Sequence, residues 1–179
     1  MPLNIRAGDL SDVPAVLALL DRATEWLVAN GRTDQWGTEP HSTNPRRIAQ
    51  VTGFVQARGL WIAELDGQAV GALAVGAATP YVPPATEPEL YIQLLVTDRD
   101  RAGQGIGGEL LDHARSLARD RGVDLVRVDC FAGGDGALVR YYERQGFTRA
   151  EAFSVPVNDT HWPGQVLFER LRPIKRPAS

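Results

Sequence analysis

Apolar positions along the chain fall into blocks of two different periods. Val13, Val16, Leu17, Leu20, Ala23 and Leu27 recur at the spacing of one helix face, with Ser11 as a candidate N-cap and Pro14 in the permissive first turn. Gly31 supplies a stop. Asn44-Pro45 opens a second helix, with Ile48, Val51, Phe54 and Val55 on one side and Gly59 at its end. A third carries Ile106, Leu110, Leu111, Ala114, Leu117 and Ala118 on one stripe and closes at Gly122, and Gly136 to Gln145 reads as a short fourth.

Strand patterns separate these helices. Leu3–Arg6 is a short first strand, and Leu60–Leu65 with Gln68–Val75 forms a hairpin, because Asp66-Gly67 accepts the positive φ angles of a tight turn. Leu90–Val96 is a buried run, and Val123–Val128, Phe147–Val155 and Val166–Leu171 complete the set. Arg32–Thr43 is polar and irregular, and Ala77–Glu87 is a Pro-rich loop. The order of elements predicts an α/β fold: a mixed sheet with helices on both faces, the early strands joined by turns and the later ones through helices. Residues 1–171 read as a single domain and 172–179 as a loose C-terminal tail.

Composition narrows the function classes. With 19 Lys+Arg against 22 Asp+Glu, the chain lacks the basic field that non-specific nucleic-acid binding needs. The longest apolar stretch, Ala69–Ala78, is about half of the roughly 20 residues that span a membrane, and the start has no signal-peptide pattern. One cysteine, Cys130, excludes an internal disulfide and a multi-Cys zinc site, and fits a reducing, cytoplasmic setting. His41, His113 and His161 have no metal-ligand spacing, so no metal is expected.

The chemistry concentrates between a buried strand and an amphipathic helix. Arg101-Ala102-Gly103-Gln104-Gly105-Ile106-Gly107-Gly108 lets the backbone approach a ligand closely, and the free N–H groups of the following helix turn favour a phosphate or pyrophosphate. Gly103, Gly105 and Gly108 also spell the dinucleotide fingerprint, with Asp124 or Asp129 where a ribose-binding acid would lie. The charged run Thr97–Arg101 and the short remainder of the chain argue against that oxidoreductase, and no Gly-Lys-Ser/Thr of a Walker loop follows.

These residues resemble the GNAT superfamily of acyl-CoA-dependent N-acyltransferases. Leu94-Leu95-Val96-Thr97-Asp98 followed by Ala102-Gly103-Gln104-Gly105-Ile106-Gly107 is similar to the family's strand and Arg/Gln-x-x-Gly-x-Gly/Ala signature, with Ala102 at the usual Arg/Gln position and Arg101 beside it. The block Ala137 to Phe147 resembles the short helix that carries a Tyr and ends in Gly-Phe. The resemblance implies a GNAT fold with a mostly antiparallel sheet of about seven strands. It also implies acetyl-CoA as co-substrate, a small-molecule or peptide amine as acceptor, and direct attack without a covalent enzyme intermediate. Its pyrophosphate site maps to Arg101, Gly103, Gln104, Gly105, Ile106, Gly107 and Gly108, and its pantetheine contacts to the backbone of Leu95 and Val96 and to Asp135, which stands where the family often has Asn. Tyr142 takes the general-acid position, with Tyr141 left as packing or acceptor-side surface. Dimers are common in the family, which makes a homodimer an expectation.

Glu89, at the start of the fourth strand, is either a general base acting through water or a solvated strand-end charge; Glu87 and Asp34 are weaker candidates. Trp26, Asp34, Gln35, Trp36, Tyr81 and Trp162 form an acidic and aromatic set suited to a cationic amine, although the tryptophans equally suit a core. Cys130 reads as structural. A non-catalytic acyl-CoA-binding or sensing domain is the alternative of another class.

Overall fold

The computed structural model describes residues 2–157 and 160–172. Within them the chain runs β1 (Asn4–Ala7), α1 (Val13–Ala29), α2 (Pro45–Gln56), β2 (Leu60–Leu65), β3 (Gln68–Gly76), β4 (Leu90–Thr97), α3 (Ile106–Asp120), β5 (Leu125–Phe131), α4 (Ala137–Arg144), β6 (Thr148–Val157) and β7 (Thr160–Arg170). Short 3-10 turns at Leu10–Asp12 and Arg99–Arg101 precede α1 and α3. Seven strands form one sheet in the order β1-β2-β3-β4-β5-β7-β6. Only β4 and β5 are parallel, with α3 as their crossover; the other neighbours are antiparallel.

Each face of the sheet is buried by the helices whose stripes the sequence shows. Ile106, Leu110, Leu111, Ala114 and Ala118 of α3 pack with Val139 and Tyr142 of α4 on Leu90, Ile92, Val126, Val128 and Cys130. On the other face Val16, Leu17, Leu20 and Ala23 of α1 and Val51 and Phe54 of α2 cover Leu60, Ile62, Ala72, Ala74, Leu94 and Val96. A β-bulge in the β3–β4 pairing leaves Gln93 as the extra residue, since Ala74 pairs with Leu94 and Val75 with Ile92. The bulge shifts the alternation of β4, so that Leu90 and Ile92 face α3 while Leu94 and Val96 face α1 and α2.

Three boundaries differ from expectation. Asp9 caps the 3-10 turn before α1, its carboxylate accepting from the Ser11 backbone N–H at 2.8 Å; Ser11 lies inside that turn, and α1 itself follows Asp12 without a side-chain cap. β5 begins at Leu125 because Val123 still closes α3, its N–H donating to Ala118 O at 2.9 Å. β7, expected from Val166, extends back to Thr160 through Pro163 and Gly164. Gly164 works in a strand here because the Phe153 ring lies where its Cβ would be, an aromatic side chain covering a bare stretch of backbone. Of the expected tail, Arg172 is exposed outside any element, and 173–179 lie outside the described residues.

Candidate active site

The parallel strands separate soon after they meet. β4 and β5 pair at Leu90–Val126, Tyr91–Arg127 and Ile92–Val128, and there the ladder ends. β4 continues to Thr97 paired with β3 alone, and β5 continues to Phe131 paired with β7 alone. The edge of β4 at Leu95 and Val96 therefore faces an opening in the middle of the sheet, where an extended amide-bearing chain can add as a strand.

α3 starts beside this opening. Asp98 is buried and organises the preceding turn, its carboxylate accepting from Asp100 N at 3.0 Å and its carbonyl from Arg101 N at 3.0 Å. Arg101 lies 3.8 Å from the same carboxylate. Gly103 and Gly105 take φ of 82° and 77°, a region costly for other residues, and Gly105 is the N-cap without a side-chain cap. Ala102, Gly103, Gln104 and Gly105 are exposed while Ile106 is buried, so the core anchors the helix start and leaves its first-turn N–H groups free for an anion. At Gly107 a Cβ would collide with the Tyr141 hydroxyl. Tyr141 thus reaches the first turn of α3, a placement that alternation along a helix could not foretell.

α4 supplies the second wall. Asp135, just before the Gly136 N-cap, accepts on Oδ1 from Ala137 N at 3.0 Å, and Arg115 of α3 binds the Gln145 carbonyl at its far end and Glu169 of β7 at 2.8 Å. Between these ties Tyr142 is 5% exposed, edge-on to Tyr141 and Phe147 with ring centroids 5.3 and 5.8 Å away. Burial holds the Tyr142 phenol well above its usual pKa, so it keeps its proton at neutral pH. Cys130 lies on the same face, and burial pushes its thiol up to about 12, which removes it as a nucleophile.

A profile of the GNAT acetyltransferase family matches residues 20–147. The chain belongs to this family. YesJ, an uncharacterized N-acetyltransferase of Bacillus subtilis strain 168, is 26% identical over 142 residues, 76% of either chain. A mycothiol acetyltransferase of Beutenbergia cavernae is 39% identical over 128 residues, covering 69% of this chain but only 40% of that protein's length. Among solved structures, a ribosomal-protein-alanine N-acetyltransferase from Brucella melitensis superposes with a TM-score of 0.69 at 22% identity, over 94% of this chain and 99% of that one. yncA of Salmonella typhimurium, solved with its cofactor acetyl-CoA, gives 0.68 at 18% identity over 100% and 99%. The fold is the GNAT fold, and the protein is a GNAT-type N-acetyltransferase.

On this GNAT scaffold the remaining candidates scatter. Glu89 does not stand at the opening: it lies at the paired end of β4, where Arg127 Nη2 donates to its Oε1 at 2.9 Å and Nε to its Oε2. Arg127 is buried and also donates to Pro83 O at 2.8 Å, so Glu89 belongs to a clamp between the 77–89 connection and the sheet. That pairing engages both carboxylate oxygens in holding the connection to the sheet. Glu87 pairs with Arg170 on the surface at 2.7 Å. Asp135 is exposed; besides its cap it approaches Arg32 at 3.4 Å across a cleft of about 110 Å³ lined by Asp34, Gln35, Phe131 and Leu138. Trp26 is not in that cleft but lies under Arg99, 3.7 Å from its ring centroid, and Trp36 stands edge-on to His41 at 5.6 Å. Trp162 donates to Gln35 O at 2.9 Å, tying the connection between α1 and α2 to β7.

The sequence reading missed Tyr91. It is fully buried, and its hydroxyl donates to Asp129. Asp129, considered above only as a ribose acid, sits on the sheet face away from α3 and α4. The signal was present in the alternation of β5, where Arg127 and Asp129 share one face and Val126, Val128 and Cys130 the other.

Proposed function

We propose that the protein transfers an acetyl group from acetyl-CoA to a primary amine by direct attack within a ternary complex, in a cytoplasmic setting, with residues 1–171 acting as one domain. The observation that carries this reading is the coincidence at one opening of three features: the unpaired β4 edge at Leu95 and Val96, the free first turn of α3, and the protonated Tyr142. These fit the donor. Backbone N–H groups from Gly103 to Gly108 would hold the pyrophosphate with Arg101 and Gln104 beside it, and the β4 edge would pair with the pantetheine amides. Acetyl-CoA supplies the thioester; a β4 N–H aimed at its carbonyl oxygen stabilises the charge that develops there. Tyr142 donates its proton to the departing sulfur.

Asp135 contributes by holding the start of α4, and it approaches Arg32 across the neighbouring cleft. The test is thiol release from acetyl-CoA across a panel of primary amines, with thermal stabilisation by CoA measured in parallel. Turnover on at least one amine is expected. Stabilisation by CoA without turnover on any amine would instead identify an acyl-CoA sensor.

A further inference from the structure

Asp129 is the first residue of β5 beyond the Ile92–Val128 pair, at the point where β4 turns away. Its neighbour Cys130 packs with Tyr142 in the core under α3 and α4, so Asp129 reaches the mouth of the same opening from the opposite face. Its Oδ1 accepts from the Tyr91 hydroxyl, and because the Tyr91 ring is fully buried, that bond fixes the carboxylate in one orientation. Arg127, two residues away on the same face, has both Nε and Nη2 on Glu89, which leaves Asp129 without an ion-pair partner among the described residues.

The surroundings suit a cation. Tyr81 packs on Phe153 at 5.4 Å, Phe153 faces Trp162 at 6.3 Å, and Trp162 packs on Phe131 at 5.4 Å, making a continuous aromatic wall on this face. Thr79 in the adjoining connection places its buried hydroxyl beside Tyr81 and Tyr91. A part-buried carboxylate beside aromatic rings attracts an alkylammonium by charge and by the ring quadrupoles together.

We infer that Asp129 receives the acceptor as an ammonium ion and takes its proton, with Tyr91 as the positioning residue. This deepens the acetyltransferase reading and rests on it. The balance closes with two protons leaving nitrogen. One passes from the ammonium to the Asp129 carboxylate and then to solvent, and the freed lone pair forms the C–N bond to the acetyl carbon. As the C–S bond breaks, Tyr142 protonates the sulfur and recovers a proton from the new amide nitrogen. Burial raises the proton affinity of Asp129 above that of an ordinary carboxyl, which favours the first transfer. The titratable groups around Asp129 are Tyr91 from β4, Tyr81 from the 77–89 connection, Arg127 and Cys130 within β5, and Tyr142 from α4; β7 places Val166 opposite it.

The test is the pH dependence of kcat/KM, with an amine that the wild-type chain acetylates, for wild type, Asp129→Asn and Tyr91→Phe. Asp129→Asn is expected to lower kcat/KM at neutral pH by about 100-fold with CoA stabilisation unchanged, and the deficit should close as pH approaches the pKa of the amine itself. Tyr91→Phe, which removes the donor that orients the carboxylate, should lower kcat/KM by less than Asp129→Asn does and move the acidic limb to higher pH. An Asp129→Asn profile that superimposes on wild type, or that falls equally at every pH together with CoA stabilisation, overturns the inference alone. If that variant does not fold, Tyr91→Phe decides, an unmoved acidic limb counting against it. A wild-type chain that acetylates no amine overturns the acetyltransferase reading and the inference with it.

Discussion

The two faces of the sheet at its central opening are made of different materials. Under α3 and α4 the proposed donor site is mostly backbone: a strand edge, a helix start and glycines, with Asp98 and Tyr142 as buried polar side chains. Under the 77–89 connection and β7 the proposed acceptor site is mostly side chains, with Asp129, Tyr91 and the Arg127–Glu89 clamp set among aromatic rings. A backbone site depends on φ angles and close approach, so it tolerates little change in side-chain volume. A side-chain site depends on pairs, so it fails when one partner is removed.

The contrast breaks most visibly at Arg127. Arg127 is 6% exposed, with its guanidinium bonded to Glu89 and Pro83 O, and Arg127→Ala strands the Glu89 carboxylate in a part-buried position. The expected loss is about 3–5 kcal/mol in chemical denaturation. Tyr142→Phe should lower turnover about 100-fold while acetyl-CoA affinity stays within about threefold of wild type, read by steady-state kinetics and calorimetric titration. Unchanged turnover at every pH removes Tyr142 from the acid role.

A smaller effect sharpens the backbone side. Gly107→Ala pushes a methyl group into the Tyr141 hydroxyl and should cost about 1–3 kcal/mol of stability, with Tyr141→Phe in the same chain returning most of it. Additive losses in that double-mutant cycle would show that the two residues do not meet.

The smallest effect lies in the connection between α1 and α2. His41 is buried, accepts from Arg47 Nε at 3.1 Å on Nδ1 and contacts Thr24 Oγ1 at 2.7 Å through Nε2, which puts the ring proton on Nε2. Burial, with the Arg47 charge, lowers its pKa below the ordinary value of 6.5. The unfolded chain therefore binds a proton first as pH falls through about 6.5, so stability is full above that pH and declines below it, by at most about 1.4 kcal/mol per pH unit. His113, lowered mainly by burial beside Trp61, adds a decline of the same sign. His41→Gln should flatten the profile between about pH 6.5 and 5 in thermal unfolding. A profile as steep as wild type there would place the titration elsewhere.

The glycine turn and helix start of the proposed donor face were legible in the sequence because these features are local. Gly103 to Gly108 stand together, the stripe of α3 follows at once, and the stops at Gly31, Gly122 and Gly146 sit where helices end. The acceptor face depends on long-range pairing. Asp129 meets Tyr91 across 38 positions and Trp162 meets Gln35 across 127, and no window along the chain contains either pair. The first half of β7 was missed for a related reason: Gly164 has no side chain to mark a strand, and Phe153, which covers it, comes from the neighbouring strand. Glu89 looked free for the converse reason, since Arg127 is distant in sequence and adjacent only through the parallel ladder.

The central claim is that donor and amine meet at one opening from opposite faces, with no acetyl group resting on the protein. Initial velocities of thiol release, measured while both acetyl-CoA and a productive amine are varied, test it most directly. The double-reciprocal lines should intersect, as for a ternary complex. Parallel lines, accompanied by thiol release from acetyl-CoA in the absence of amine and an acetylated chain, would contradict it.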